Sequence, residues 1–207
     1  FVDAARLLNI RGCSITIPHK IDIIPLLDKT SENVREMGAC NTLYRDGEKI
    51  CGENTDVIGF TAPLRKRSLS PETRVLVLGA GGVSRAAIAG LRRLGLANIT
   101  LTNRRKERAE ALCNEFGLLC APWEERGDVP ADLIINTTPL GMTGAQEHET
   151  PYPRAFQDNG IAYDLIYTPF QTRFLRDAAA AGWETVSGLD MFCLLYTSDA
   201  ADERSSV

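Results

Sequence analysis

The order of apolar and polar residues divides the chain into two parts of different texture. From Arg74 onward, continuous apolar runs alternate with stretches that have helical spacing. Continuous apolar runs are typical of parallel strands that are covered on both faces. Strands that alternate with helices indicate a doubly wound parallel sheet. We therefore predict an α/β domain over residues 73–186, preceded by a second, smaller α/β domain.

Four strands and three helices are predicted in this second part. The strands are carried by "RVLVLG", "NITLTN", "ADLIINTTP" and "GIAYDLIY". The helices are a segment that follows the glycines and ends near Leu94, then "RKERAEALCNEF" and "TRFLRDAAAAG".

The first part, residues 1–67, has shorter and more polar elements. A strand is predicted at 14–17, and helices at 20–27 and at about 56–67. A helix with Thr30 or Ser31 as its N-cap is indicated by "TSENVREMG", because these side chains accept hydrogen bonds from the first turn. In "NTLYRDGEKICGENTD", an Asp-Gly pair between two partly alternating runs predicts a β-hairpin. The turn-rich "SLSPET", residues 68–73, is the best linker in the sequence.

Composition excludes several classes of partner. The net charge of −4 argues against nucleic acid or an anionic membrane surface as the main partner. No apolar run approaches the ~20 residues that span a bilayer, and no secretory signal begins the sequence. The 6 cysteines are scattered, and 2 histidines leave little for a zinc site. We expect reduced thiols, a cytoplasmic location and no metal.

The segment "GAGGVSRA", residues 79–86, follows a predicted strand and opens a predicted helix. Gly79 allows a tight turn, and Gly81 and Gly82 let backbone N–H groups approach a pyrophosphate at the positive end of the helix. A strand-to-helix turn can also use glycine for its geometry alone. The surrounding pattern favours dinucleotide binding in a Rossmann-like domain.

The end of the next strand, "TNRRKER", carries a cofactor selector. An NAD-selective site usually places a carboxylate here on the ribose 2′-hydroxyl, but this chain has Asn103, Arg104 and Arg105, with Arg108 one turn later. Guanidinium groups can bind a 2′-phosphate with two hydrogen bonds each. A solvated basic helix start is the alternative, and we favour NADP.

A lysine ends the alternating stretch "ITIPHK" at residues 15–20. From the residues alone, Lys20 is either a solvated residue at a strand end or a group directed at a ligand. Two further polar clusters occur in the same part of the chain, "CNT" at 40–42 and "ENTD" at 53–56.

Taken together, the motifs resemble those of the shikimate dehydrogenases. The motifs that carry the resemblance span nearly all of residues 1–192 and occur in the family's order: "TIPHK", "GACNTL", "GENTDVIGF", "VLGAGGVSRA", "TNRR", "LIINTTPLGM", "YDLIYTP" and "GLDM". The resemblance implies NADP-dependent, reversible reduction of 3-dehydroshikimate to shikimate in aromatic amino-acid biosynthesis.

The resemblance also implies roles for individual residues. Lys20 and Asp56 match the catalytic pair, since a ketone that receives a hydride needs a proton donor within hydrogen-bond reach of its oxygen. Substrate contacts are implied for Thr16, Lys20, Asn41, Asp56 and Tyr167. Cofactor contacts are implied for Gly79, Ala80, Gly81, Gly82, Val83, Asn103, Arg104, Arg105, Arg108, Thr137, Leu165, Gly188 and Met191.

The chain departs from the family in three places. The family's Ser-x-Ser substrate motif would precede Phe1, where "FVDAARLL" begins as if within a helix. Arg105 stands where many members have threonine. After residues 187–192, the expected start of a returning helix, Leu195 matches a substrate-binding glutamine of the family. The tail 193–207 begins "CLLYTSDAADE", which resembles a translated sequencing adapter; a divergent natural terminus is the alternative.

These departures lead us to expect a fragment that binds NADPH if it folds and turns over shikimate poorly or not at all. Three alternatives stay open. The protein is a quinate/shikimate dehydrogenase that uses NAD as well as NADP, it is a non-catalytic shikimate-binding regulator, or its intact chain is fused to another enzyme such as a dehydroquinate dehydratase. We expect a small-molecule substrate as the partner and leave monomer and homodimer open.

Overall fold

The computed structural model describes residues 1–16 and 18–191. The chain forms two compact units, Phe1–Ile58 and a second unit that starts at Gly59. This division falls ahead of the linker predicted at 68–73, and the predicted domain limits stay predictions. Residues 188–191 are helical. The predicted tail at 193–207, with Leu195, lies outside the described residues, as does the last residue of the predicted returning helix.

The first unit contains a four-stranded mixed sheet. Along the chain its elements are α1 (Val2–Leu7), β1 (Gly12–Ser14), β2 (Lys29–Thr30), α2 (Glu32–Met37), β3 (Thr42–Asp46), β4 (Lys49–Glu53) and the start of α3 (Asp56–Leu64). The strand order is β1-β3-β4-β2. The β1–β3 and β3–β4 pairs are antiparallel, and β2 runs parallel to β4.

Two local predictions in this unit are confirmed. Asp46 pairs with Lys49, so β3 and β4 form a hairpin closed by Gly47 and Glu48. The hydroxyl of Ser31 accepts a hydrogen bond from the backbone N–H of Val34 at 3.2 Å and caps α2. Both features depend on residues close in sequence, which is why the sequence predicts them.

Two predicted helices are wrong in extent, and proline explains the first difference. In place of a helix at 20–27 the chain has turns followed by a single 3-10 turn at Ile24–Leu26. Pro25 lacks a backbone N–H and disfavours helical geometry in the residue before it, so a regular helix over these residues is destabilised. The helix predicted at 56–67 ends at Leu64, directly after Pro63. The strand predicted at 14–17 lies earlier, at Gly12–Ser14, where it pairs with β3.

The second unit is built on a six-stranded parallel sheet. Its elements are the end of α3, then β5 (Val75–Leu78), α4 (Gly82–Arg93), β6 (Ile99–Thr102), α5 (Lys106–Phe116), β7 (Leu119–Cys120), a 3-10 turn (Trp123–Glu125), β8 (Leu133–Asn136), β9 (Ile161–Asp164), α6 (Arg173–Ala180) and β10 (Glu184–Val186). The strand order is β10-β9-β8-β5-β6-β7, and every pairing is parallel. The chain builds one half of the sheet, returns to the centre and builds the other half, which confirms the predicted doubly wound, Rossmann-like architecture.

The sequence analysis does not predict the two edge strands, β7 and β10. They contain 2 and 3 residues, respectively. A strand this short offers no alternation or apolar run to recognise.

Both faces of the sheet are covered, as the apolar runs indicated. In β5, Val75 and Val77 join a core cluster with α4, α5 and the end of α3, whereas Leu76 and Leu78 join a second cluster that includes α6. Successive residues of a strand point to opposite faces of the sheet. Because both faces are covered, all four side chains are buried. A strand buried in this way must be apolar throughout, which fixes the centre of the domain.

Gly90 of α4 marks a close approach to α3 in the first of these clusters. A Cβ atom built on Gly90 would lie 2.6 Å from Cδ1 of Phe60 and 2.9 Å from Cγ2 of Thr61. The Phe60 ring cannot move aside, because it is fully buried and stacks on Tyr163 with ring centroids 5.2 Å apart. The two helices therefore pack at a distance that only glycine permits at this position.

We expect Gly90→Ala to lower the free energy of unfolding by about 1–3 kcal/mol, since the added methyl forces α3 and α4 apart. Urea unfolding followed by circular dichroism measures the change. Gly82→Ala is the matched control, because a Cβ there meets no atom within 4 Å. A Gly90→Ala protein as stable as the control would contradict the close packing.

Candidate functional site

Lys20 and Asp56 form an ion pair in the first unit. The Lys20 Nζ donates to Asp56 Oδ2 at 3.0 Å, with 26% and 18% of the two side chains exposed. The backbone holds both residues in place: the carbonyl of Lys20 accepts the N–H of Cys40 at 2.7 Å, and Asp56 is the first residue of α3. A carboxylate at the start of a helix is stabilised by the positive end of the helix dipole.

Asn41 binds the other oxygen of the same carboxylate. Its Nδ2 donates to Asp56 Oδ1 at 2.8 Å and to Thr55 Oγ1 at 3.1 Å, and its Oδ1 accepts the backbone N–H of Thr55 at 3.0 Å. Each oxygen of Asp56 therefore has its own partner, an ammonium for one and an amide for the other. This arrangement fixes the orientation of the carboxylate before any ligand binds.

The pair has the groups needed for proton transfer to a substrate oxygen. An ammonium carries three hydrogens, of which Asp56 accepts one, and each carboxylate oxygen has a further lone pair. Because both side chains are only partly buried, the remaining donors and acceptors stay accessible. The geometry thus suits a general acid and a hydroxyl acceptor side by side.

A second group of polar residues, to which the sequence analysis gave no individual roles, builds the corner that carries Asp56. Asn54 is 2% exposed; its Oδ1 accepts the backbone N–H of Asp56 at 3.0 Å, and its Nδ2 donates to the Ala39 carbonyl at 2.8 Å. One oxygen of Glu53 accepts from Ser31, Asn33 and the backbone of Asn54 at 2.7–2.8 Å. The "ENTD" motif was a signal for this corner, but only its aspartate has an obvious chemical role.

Two further residues, Thr16 and Tyr167, were predicted to contact the substrate. Thr16 is exposed, and its backbone carbonyl accepts the N–H of His19 at 2.9 Å. Tyr167 belongs to the second unit, where it follows β9 and is 56% exposed. Their contacts with a substrate stay predictions.

In the second unit, Gly79 begins the turn between β5 and α4. Its N–H donates to the Thr102 carbonyl at 2.8 Å, and its φ of +116° lies in the region that favours glycine. A Cβ at this position would lie 2.4 Å from Oγ1 of Thr137. Backbone conformation and space both require glycine here.

Two hydroxyl groups brace the glycine turn. The Gly81 N–H donates to Ser84 Oγ at 2.9 Å, Ser84 Oγ lies 2.7 Å from Thr137 Oγ1, and Thr137 Oγ1 donates to the Leu78 carbonyl at 2.8 Å. Since the single hydroxyl hydrogen of Thr137 goes to Leu78, Ser84 is the donor to Thr137. Sequence reasoning missed Ser84, and the predicted contact of Thr137 with a cofactor stays a prediction.

The start of α4 presents backbone donors. Within the described residues, the N–H groups of Ala80, Gly82 and Val83 have no acceptor. A Cβ built on Gly81 or Gly82 would meet no atom within 4 Å, so the backbone is open to an approaching group. Unpaired N–H groups at the start of a 12-residue helix fit an anionic pyrophosphate.

The basic corner lies at the end of β6. The side chain of Asn103 donates to the Arg105 carbonyl at 2.9 Å and shapes the turn into α5. Arg104, Arg105 and Arg108 are exposed, and their guanidinium groups have no ion-pair partner in the described part of the chain. Three unpaired cations beside the strand end fit a phosphate better than a neutral hydroxyl.

The last predicted cofactor residues lie in or next to one core cluster. A Cβ on Gly188 would lie 2.5 Å from the Leu165 carbonyl oxygen, and its N–H donates to the Ile166 carbonyl at 3.2 Å. Leu165 and Met191 belong to the same core cluster. The structure therefore brings together Leu165, Gly188 and Met191, although it does not test their contact with a nicotinamide.

A fully buried carboxyl group, also missed from the sequence, lies at the end of β9. Asp164 Oδ1 accepts from Asn136 Nδ2 and from the Ile166 N–H, each at 3.0 Å, and Oδ2 accepts from Thr172 Oγ1 at 2.5 Å. Asp164, Asn136 and Thr172 are all 0% exposed. Burial raises the pKa of Asp164 to about 6, and its three hydrogen bonds act in the opposite direction.

Comparisons with known proteins agree with this geometry. The family model of the shikimate dehydrogenase substrate binding domain matches residues 1–43, and that of shikimate / quinate 5-dehydrogenase matches residues 64–125. A protein of Pelobacter propionicus, "Shikimate dehydrogenase (NADP(+))", is 55% identical over 195 residues, which are 93% of this chain and 70% of that relative. The chain belongs to the shikimate dehydrogenase family.

Solved structures of this family have the same fold. The shikimate 5-dehydrogenase of Thermus thermophilus in complex with NADP(H) and shikimate is similar with a TM-score of 0.80 and 37% identity, over 91% of this chain and 70% of that one. The quinate dehydrogenase of Corynebacterium glutamicum in complex with NAD is similar with a TM-score of 0.80 and 31% identity, over 92% and 71%.

The buried carboxyl predicts an unusual pH dependence of stability. The pKa of Asp164 is raised in the folded protein from 3.8 to about 6. Between these values the folded state binds a proton that the unfolded state does not, so this group stabilises the fold as the pH falls from about 6 to about 4. Asp164→Asn should abolish the effect, because the amide does not titrate.

We therefore expect the unfolding free energy of wild type to rise by about 2 kcal/mol relative to that of Asp164→Asn from pH 7 to pH 4. Urea titrations at a series of pH values measure it. Asp132→Asn should show the reverse trend below about pH 4, since the hydrogen bond from Arg74 lowers the pKa of Asp132 below its ordinary value of 3.8. A difference for Asp164→Asn that does not vary with pH would contradict the raised pKa.

Proposed function

We propose that this protein is an NADP-dependent shikimate dehydrogenase, which catalyses the reversible reduction of 3-dehydroshikimate to shikimate. The observation that carries the proposal is the 3.0 Å pair of Lys20 and Asp56, in a chain that is 55% identical to a shikimate dehydrogenase. We further propose a cytoplasmic location and a place in aromatic amino-acid biosynthesis. No helix in the described part of the chain has the length and apolar character to cross a membrane.

In the proposed mechanism, Lys20 and Asp56 divide the proton chemistry. When bound, NADPH supplies the hydride that reduces the ketone. Lys20 donates a proton to the ketone oxygen as negative charge develops there. Asp56 orients the ammonium and accepts a hydrogen bond from a neighbouring substrate hydroxyl, and Asn41 keeps the carboxylate in that orientation. Thr16 and Tyr167 are proposed to contact further substrate hydroxyls.

The second unit is proposed to hold the cofactor by its phosphates. The backbone N–H groups of Ala80, Gly82 and Val83 would bind the pyrophosphate, and Asn103, Arg104, Arg105 and Arg108 would surround the 2′-phosphate. Thr137, Leu165, Gly188 and Met191 are proposed to contact the nicotinamide half. The arginines fit NADP because they place exposed cations where an NAD-selective site would have a carboxylate.

The proposal is tested with protein expressed from its full reading frame and assayed with both cofactors and both substrates. We expect shikimate and NADP⁺ to give the highest kcat/KM. Equal rates with NAD⁺, or higher rates with quinate than with shikimate, would favour a quinate/shikimate dehydrogenase instead. Binding of shikimate without any hydride transfer would favour a regulator.

Lys20→Met should lower kcat by about 10²–10⁴-fold, because it removes the general acid and leaves an apolar chain of similar length. Steady-state assays measure kcat, and NADPH binding should be unchanged. Lys29→Met is the control, since Lys29 is an exposed lysine of the same unit. Turnover by Lys20→Met at the wild-type rate would refute the assignment.

Arg104→Ala should raise the KM for NADP⁺ by about 10–100-fold and leave the KM for NAD⁺ nearly unchanged, because the lost hydrogen bonds involve only the 2′-phosphate. Cofactor titrations at saturating shikimate measure both values. Arg65→Ala, which removes an exposed arginine outside the corner, is the control. Parallel losses with both cofactors would show that Arg104 does not select the phosphate.

A further inference from the structure

Asp164 is bonded to three separate parts of the second unit. Its partners are Asn136 at the end of β8, the Ile166 N–H at the end of its own strand, and Thr172 at the start of α6. Asn136 and Asp164 are also paired in the parallel register of β8 and β9. The carboxyl group thus joins two strand ends and one helix start at a single point.

Further hydrogen bonds connect this point to the two segments that follow β8 and β9. Asn136 Oδ1 accepts from the backbone and the hydroxyl of Thr138 at 2.9 and 2.7 Å, and its Nδ2 also donates to the Leu140 carbonyl at 3.2 Å. The Thr143 N–H donates to the Thr168 carbonyl at 3.0 Å, so the segments after β8 and β9 are bonded to each other a second time.

These two segments carry predicted ligand contacts: Thr137 after β8, and Leu165 and Tyr167 after β9. Residues 137–160 after β8 and residues 165–168 after β9 contain no helix or strand. Their conformation therefore depends on hydrogen bonds of this kind more than on helix or sheet pairing.

We infer that Asp164 is a positioning residue of the cofactor site, which acts through Asn136 and Thr172 to hold residues 136–140 and 165–167 in one arrangement. The inference rests on the proposed function. Asp164 contacts neither cofactor nor substrate in it, since its side chain is fully buried.

The charge on Asp164 is needed for this role. No charged residue contributes to its pKa; the groups that face it are the uncharged side chains of Asn136 from β8 and Thr172 from α6, and the Ile166 N–H from its own strand. Hydrogen bonds to a carboxylate are stronger than those to a neutral carboxyl group. Protonation would therefore weaken the bonds to both segments and reverse the donor in the bond to Thr172.

Asp164→Asn imitates the protonated group, because its amide keeps an acceptor for Asn136 and Ile166 but presents a donor to Thr172. The experiment measures the Kd of NADPH by fluorescence for wild type and variant from about pH 8 to pH 5. We expect the variant to bind about fivefold more weakly at the high end. The ratio of the two Kd values should approach one at the low end, where wild type is protonated as well.

Taking the ratio removes the titration of the cofactor's own phosphate, which affects both proteins equally. A ratio of one throughout, or one that does not change with pH, would overturn the inference, since a purely structural residue would give either result. Failure of wild type to bind NADPH at any pH would overturn the proposed function, and the inference with it. Asp132→Asn, which breaks an ion pair with Arg74 at the opposite end of the sheet, is the control with unchanged Kd.

Thr172 gives an independent test if Asp164→Asn does not fold. Thr172→Val removes the hydroxyl that donates to Asp164 and accepts from the Leu175 N–H, whereas Thr172→Ser retains it. We expect Thr172→Val to weaken NADPH binding at about pH 8 and Thr172→Ser to restore it. Equal affinity of both variants and wild type would overturn the inference.

Discussion

The parallel register of four strands determines where the chemistry of the second unit can lie. Leu78 pairs with Thr102 and with Asn136, and Asn136 pairs with Asp164, so β5, β6, β8 and β9 all end at the same level. The glycine turn, the basic corner, the "TTPLG" segment and the "LIYTP" segment therefore all leave the sheet at one edge. Residues that are far apart in sequence become neighbours because the strands share a register, and burial of the strands on both faces holds that register in place.

The first unit holds a cation and an anion together in a way that leaves each of them hydrogen-bonding capacity for a ligand. Asp56 receives one donor on each oxygen, and Lys20 keeps donors to spare. Exposed ion pairs contribute little to stability, and this one is only partly buried. Its value therefore lies in orientation, which the amide of Asn41 and the hydrogen bond from the Asp56 backbone to Asn54 supply at the cost of two buried polar side chains.

Sequence reasoning succeeded where a feature depends on neighbours along the chain and failed where it depends on partners brought together by the fold. The hairpin, the cap at Ser31 and the buried run of β5 follow from a few adjacent residues. The helix at 20–27 was wrong because the apolar spacing concealed the effect of Pro25. Asp164 could not be found, since it interrupts an apolar run and its partners lie 28 and 8 residues away. Lys20 itself was ambiguous until its motif was compared with a family.

The hydroxyl chain beneath the glycine turn has a consequence for what this turn recognises. Both hydroxyl hydrogens are committed inward, from Ser84 to Thr137 and from Thr137 to Leu78. No side-chain donor of the turn remains to face a bound phosphate, so recognition there falls to main-chain amides. Every residue except proline has the same main-chain donor, so the exposed side chain at position 83 can change over evolutionary time without altering how the turn holds an anion.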